Sequence, residues 1–292
     1  MTKNQAGSTA ATTTATDAGR VTTPIIEGRV RSSCVAGEAH TLTLRGAIHG
    51  ELIKLVSIRS TLVTLAMIAP LAGGFTWISA YSRLKGVGGD PAANLDSVLV
   101  SMGSAVPLTY LLVIMVAVLS ITTEYATGQI GATHTVAPRR GLTVLAKSTA
   151  LALVVWAVSF LSMLAALGVA AVTVGGAGPL PSGTTLSTIL VFAAGAATAM
   201  TMIGIIALCI GGVLRSTAFG IACAFGLILV LPGLVALAPA RWINDLWWLL
   251  PDAGAKVLYE VSASQPILQG VVVLAACGFV GLGTWFWTML RR

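Results

Sequence analysis

Charge is scarce in this chain: 9% of its 292 residues are charged and 56% are hydrophobic, whereas an ordinary soluble domain carries about 25% charged residues. With a mean hydropathy of +0.91, most of the chain must lie in lipid. Metal-binding patterns are missing too. His40, His49 and His134 are the only histidines, and without an HExxH motif a metal-dependent membrane protease has no ligand set. The four cysteines, Cys34, Cys209, Cys223 and Cys277, are scattered with no CxxC. That pattern suggests neither a disulfide framework nor a zinc site, and they read as small core residues. Residues 1–40, opening MTKNQAGSTAATTTATDAGR, have no apolar run; they are neither a signal peptide nor a packed domain, and a disordered cytosolic tail is expected.

Long hydrophobic runs are abundant. Crossing the roughly 30 Å hydrocarbon layer takes about 20 helical residues, because no backbone polar group can be left unpaired in lipid. Six stretches qualify: 61–80, 98–121, 148–174, 186–214, 217–238 and 267–290. The expected fold is an all-α integral membrane protein with six transmembrane helices. A formal charge of +7 would suggest nucleic acid in a soluble protein, but here the bases first have to be placed relative to the bilayer. With a cytosolic N-terminus, the inner side holds Arg45, Lys54, Arg59, Arg139, Arg140, Lys147, Arg215, Arg291 and Arg292. Only Arg83, Lys85, Arg241 and Lys256 fall outside. Nine against four places both termini, the loop 122–147 and the Arg215-Ser216 turn in the cytosol.

Two inner segments stand out from the apolar body. In TLTLRGAIHGELIKLVSIRS, residues 41–60, Leu44, Ile48, Leu52, Leu55 and Val56 fall on one side of a helix, which predicts an interfacial helix on the inner leaflet ahead of the first span. A cytosolic extension of that span fits the same periodicity. The second segment is the loop 122–147, where Gly128 and Gly131 permit a bend and Pro138 stops any helix before Arg139 and Arg140. At its end GLTVLAKS, Gly141 to Ser148, matches GxxxxGK[ST] except at Ala146. A phosphate loop follows a buried strand and opens a helix in a soluble α/β domain. Polar HTVAPRR precedes this octet and a membrane span follows it, so Lys147 reads as a snorkelling residue at the mouth of the third span.

The run from Thr122 to Lys147, with Glu124-Tyr125, Gly128, Arg139-Arg140 and Lys147, resembles the loop after the second span in permease subunits of the ABC-2 type transporter family. GELIKLVSIRS, LRSTAFGIACAFGLILVLPGL and LLPDAGAKVLYE resemble that family's segment before the first span, its fourth-to-fifth turn with the fifth span, and its outer loop. The resemblance covers nearly everything after residue 41. It implies an ABC-2 type permease architecture with no nucleotide site of its own. Two permease copies would dock on two cytosolic ATPase subunits, which would carry the ATP and Mg. Glu124, Tyr125 and Gly128 would form the coupling element, flanked by Arg139 and Arg140, with Glu51, Lys54 and Arg59 on the connecting helix. One departure is GATHTV at residues 131–136, where the family is more hydrophobic.

The six span interiors contain no Asp, Glu, Lys or Arg. Ion-coupled carriers keep such groups at mid-membrane, so a secondary transporter is disfavoured and an uncharged, amphipathic or lipid-like cargo is favoured. Pro70, Pro107 and Pro232 each interrupt a span and are candidate hinges. Ala193 with Ala197, and Gly220 with Ala224, permit close helix approach. Met102, Met115, Met163, Met200 and Met202 would line a tolerant path or simply pack. In the outer loop 239–266, Trp242, Trp247 and Trp248 suit the headgroup layer and make a candidate outer gate or an interfacial anchor. With the resemblance, the expectation is the permease subunit of an ATP-driven exporter in a bacterial cytoplasmic membrane, the ATP drive and the outward direction being what the resemblance implies. Its rival is a non-transporting scaffold or regulator with the same fold; an enzyme ranks below both, because no convergent nucleophile, base and metal ligands are visible.

Overall fold

A computed structural model of the chain describes residues 43–86, 95–128, 140–175, 186–237, 249–260 and 267–291. The described residues are almost entirely helical, and six helical segments are long and apolar enough to cross a membrane: Arg59–Leu84, Val98–Ala126, Gly141–Thr173, Ser187–Leu214, Thr217–Leu237 and Leu268–Thr288. The expected tail 1–40, Arg139, Trp242, Trp247 and Trp248 lie outside the described residues.

Helix α1 (Leu44–Ser57) begins at Thr43, whose side chain accepts from the Gly46 N–H, and ends at Ile58, an extended residue with ψ 112°. That break separates it from the first span. The connecting segment is therefore not a continuous extension of the span, and Arg59 opens α2 (Arg59–Ala66) rather than sitting on α1. The apolar face of α1 also differs from the expected one. Glu51 and Leu55 are buried with Ile48 and Leu52 beside them, while Leu44, Ile53 and Val56 are exposed. A carboxylate thus occupies the face turned to the protein, which apolar periodicity alone does not register.

The first span is interrupted at Met67, between α2 and α3 (Ile68–Leu84). Pro70 explains the site: it has no N–H for the Ala66 carbonyl, and its ring crowds that carbonyl. The second span lies within α4 (Leu95–Ala126), which runs unbroken through Pro107. The third lies in α5 (Arg140–Gly175), which starts eight residues before the predicted Ser148. Thr122–Ala126 and Arg140–Lys147 therefore belong to the long helices α4 and α5 rather than to a loop. The octet GLTVLAKS forms the first turns of α5, so its backbone does not cradle a phosphate as a loop would.

Helix α6 (Leu186–Leu214) carries the fourth span and α7 (Thr217–Phe225) begins the fifth. The chain reverses between them through Arg215, a non-glycine residue at φ 53°. The fifth span passes through a π-helical turn (Gly226–Val230) before α8 (Leu231–Leu237). Pro232 leaves the carbonyl of Ile228 without its usual donor, and the wider turn falls at that point. A short helix α9 (Pro251–Tyr259) precedes α10 (Ile267–Leu290), which carries the last span.

The second and fourth spans form the centre, with 61% of each core window buried, against 39% or less in the other four. Helix α6 packs on α4, α5, α9 and α10, while α3 packs on α4 and α5. Ala193, Ala197 and Ala224 are buried at these contacts, and Met102, Met163 and Met200 are sealed in the core. For those three methionines the packing reading holds. Within the segment 239–266 only residues 249–260 are described, and there every residue of α9 is buried or half-buried between α6 and α10 rather than lying at the periphery. Glycines allow this. A side chain at Gly195 would strike the Leu258 carbonyl, and one at Gly270 would come within 2.7 Å of the Gly254 carbonyl.

Candidate functional site

Three helices bring four charges, two of each sign, together at one end of the bundle. Helix α1 contributes Glu51 and Lys54, the last turn of α4 contributes Glu124, and α5 contributes Lys147. The Lys147 ammonium donates to Glu51 Oε2 at 2.7 Å, to Glu124 Oε1 at 2.9 Å and to the Ser120 carbonyl at 3.4 Å. Its three donors are thereby all used. Lys54 donates to Glu51 Oε1 at 2.7 Å and to Glu124 Oε1 at 3.2 Å. The group is neutral, two carboxylates against two ammonium ions, but unequally shielded. The side chains of Lys147 and Glu51 are 7% and 8% exposed, whereas that of Lys54 is 44% exposed.

The position of Lys147 corrects the sequence-based expectation. Its ammonium does not reach out to headgroups but is held inside the protein, because two carboxylates offer more than the interface would. Burial acts to raise the Glu51 carboxyl; the Lys147 charge and hydrogen bond, helped by Lys54, outweigh it and hold the group below its ordinary value of 4.5. Lys54 moves the other way. Burial acts to lower it, but the hydrogen bond to Glu51 and the Glu124 and Glu51 charges carry it above its ordinary 10.5.

Tyr125 follows Glu124 and so points to a different side of the same helix. Its hydroxyl donates to the Gly212 carbonyl at 3.2 Å and accepts from Trp285 Nε1 at 3.4 Å. The Arg215 guanidinium stands 5.2 Å from the ring centroid, within cation–π range. One turn earlier Thr122 accepts from the Thr217 hydroxyl at 2.9 Å. Consecutive residues thus tie the C-terminal end of α4 to two sets of neighbours: Glu124 to α1 and α5, Tyr125 to α6, α10 and the Arg215 turn. Just beyond, Gly128 takes φ 70°, a left-handed conformation in which a side chain is strained even though the surrounding space is open.

Of the expected residues, the structure brings Glu124 of the coupling element together with Glu51 and Lys54 of the connecting helix, turns Tyr125 to the opposite neighbours and leaves Gly128 at the helix end. Arg140 opens α5 with its side chain outside the described part. Sequence reasoning missed the two partners of Tyr125. Trp285 is 1% exposed and lies against Gly212, where a Cβ would approach its indole nitrogen to 2.5 Å. The Gly211-Gly212 pair near the C-terminal end of α6 was a signal for close approach, but nothing in the sequence matches it with a tryptophan 73 positions away. Among the described residues no cluster of metal-ligating side chains is present.

Comparison with models of known families and with curated proteins found no match. The fold and this site therefore define a class: a multi-span α-helical membrane protein with a neutral ionic cluster at one end of its bundle.

Proposed function

We propose that this chain is the permease subunit of an ATP-driven exporter, working as a dimer on two copies of a separate cytosolic ATPase that binds the ATP and Mg. The carrying observation is the junction at Glu124 and Tyr125. A push delivered there reaches α1 and the third, fourth and sixth spans through direct contacts, which a two-state transporter requires of its coupling element. The resemblance of residues 122–147 to ABC-2 permeases supports the same reading and is the basis for the outward direction. Helix α1, with Leu44, Ile53 and Val56 exposed, would lie on the inner leaflet with both termini cytosolic, as the basic residues indicate. Cargo would be amphipathic or hydrophobic, a drug-like, antibiotic-like, peptide or lipid-like compound. The charged residues in the candidate spans lie near the span ends, and an apolar groove of about 590 Å³ runs along the fourth, fifth and sixth spans past Ile210, Val213, Cys223, Leu227, Cys277 and Val280. Pro70 and Pro232, at breaks in helix type, are the places where the bundle would bend; Pro107 would act without a break.

The test is reconstitution in proteoliposomes with the candidate ATPase. The wild-type chain should stimulate ATP turnover and drive loss of an amphipathic dye. Glu124→Gln should lower both by about tenfold, the effect of about 1.4 kcal/mol in coupling, while the chain still inserts and folds. ATP turnover identical with and without the chain would refute the reading and leave the scaffold alternative.

A further inference from the structure

Arg59 stands where the first candidate span begins. It opens α2, is exposed, and its side chain forms no ion pair or hydrogen bond among the described residues. Leu62, Val63, Ala66 and Met67 follow it on the same side of the helix, at the three- and four-residue spacing of one helical face. All four are exposed, whereas Thr61, Leu65 and Ile68, on the other side, are buried in the bundle. From Arg59 to Met67 the helix rises about 12 Å. That nearly matches the depth of one leaflet, half of a hydrocarbon layer of about 30 Å. The face therefore offers what one phospholipid needs, a cation at headgroup level and an apolar strip as deep as a chain.

Charge decides which lipid fits. At this end of the bundle the described side chains include six cations, Arg45, Lys54, Arg59, Lys147, Arg215 and Arg291, and two carboxylates, Glu51 and Glu124. Both carboxylates are already bound by Lys54 and Lys147, and the Arg215 and Arg291 guanidinium groups lie over aromatic rings. Arg59 is thus left in a field of excess positive charge. A zwitterionic headgroup would bring its own ammonium into that field, whereas an anionic headgroup brings the phosphodiester alone. A guanidinium also matches a phosphate in shape, through two parallel N–H···O bonds.

We infer that this face of α2 binds one anionic phospholipid, with the phosphodiester on Arg59 and an acyl chain along Leu62, Val63, Ala66 and Met67. The inference rests on the membrane-spanning character of the segment and not on export, and it holds whichever side of the membrane this end faces.

The test uses the purified full-length chain in phosphatidylcholine bilayers with a trace of spin-labelled lipid, where electron spin resonance separates chains held at the protein from free ones. Spin-labelled phosphatidylglycerol should associate about fivefold more strongly than spin-labelled phosphatidylcholine, the effect of one basic residue on an anionic headgroup. Arg59→Gln should remove that preference, and Arg59→Lys, which keeps the charge, should retain most of it. Arg45→Gln takes the same charge from α1 at the same end and should also leave most of it. Phosphatidylglycerol with a photoreactive group midway along one chain should crosslink within residues 59–67 of the wild type and not of Arg59→Gln. Soluble glycerol phosphate, the headgroup chemistry without chains, should not displace the label. Circular dichroism should be the same for all these chains, since neither arginine side chain makes a bond among the described residues. The inference fails if the two lipids associate equally with the wild type, if Arg59→Gln keeps the preference, if Arg45→Gln loses as much of it, if the crosslinks fall elsewhere, or if glycerol phosphate competes.

Discussion

Replacing Lys147 with methionine keeps most of the side-chain length while removing three hydrogen bonds and the charge between two carboxylates. Glu51 and Glu124, 8% and 12% exposed, would then share only Lys54. Breaking a buried pair by deleting one partner costs about 3–5 kcal/mol, because the remaining charge has neither water nor a counter-ion. Lys54→Met is the matched comparison. Its ammonium touches the same two carboxylates, but at 44% exposure solvent already screens it, and its loss should cost at most about 1 kcal/mol. Removing the carboxylate charges along with the ammonium, in Lys147→Met/Glu51→Gln/Glu124→Gln, should recover most of the loss, since a neutral replacement of a buried ion group is often tolerated. The assay is unfolding in mixed micelles with rising dodecyl sulfate, followed by circular dichroism. Equal costs for Lys147→Met and Lys54→Met, or a triple variant as unstable as the single one, would refute the assignment of Lys147 as the buried keystone of the group.

Two further outcomes concern the same end of the bundle. Gly212→Val should destabilise the fold by about 1–3 kcal/mol, because a Cβ there lies 2.5 Å from the Trp285 indole nitrogen; an unchanged unfolding midpoint would mean that α6 and α10 are not in contact there. The pH dependence follows from the two displaced groups. Glu51, held below 4.5, contributes fully above that value and loses its contribution as pH falls through its folded value, whereas Lys54, raised above 10.5, contributes fully below that value and loses it at higher pH. The stability gap between wild type and Glu51→Gln should therefore stay level from 4.5 to 10.5, close in acid as Glu51 takes a proton and shrink in base as Lys54 loses one; a gap that changes near neutral pH would contradict the geometry.

Legibility differed by feature. Membrane-spanning character could be read without coordinates, because the cost of an unpaired backbone in lipid forces long apolar helices and those are visible as runs of letters. Helix ends were less visible. Thr122–Ala126 and Arg140–Lys147 look polar enough for a loop, yet they continue α4 and α5, since Thr122, Glu124, Tyr125 and Lys147 find partners on neighbouring helices. Glu51 was hidden for a related reason: a charge on an otherwise apolar face reads as a solvent position until its counter-charge, 96 residues away, is seen beside it.

The sequence by itself determined that the chain is helical, that six segments can cross a bilayer and which side is richer in basic residues, all consequences of local composition acting on one helix at a time. Tertiary structure alone decided that Lys147 turns inward, that Tyr125 meets Gly212 and Trp285, and that α9 lies among the spans. These are pairings between distant positions, and their free energy comes from mutual desolvation and close approach, which no single segment contains.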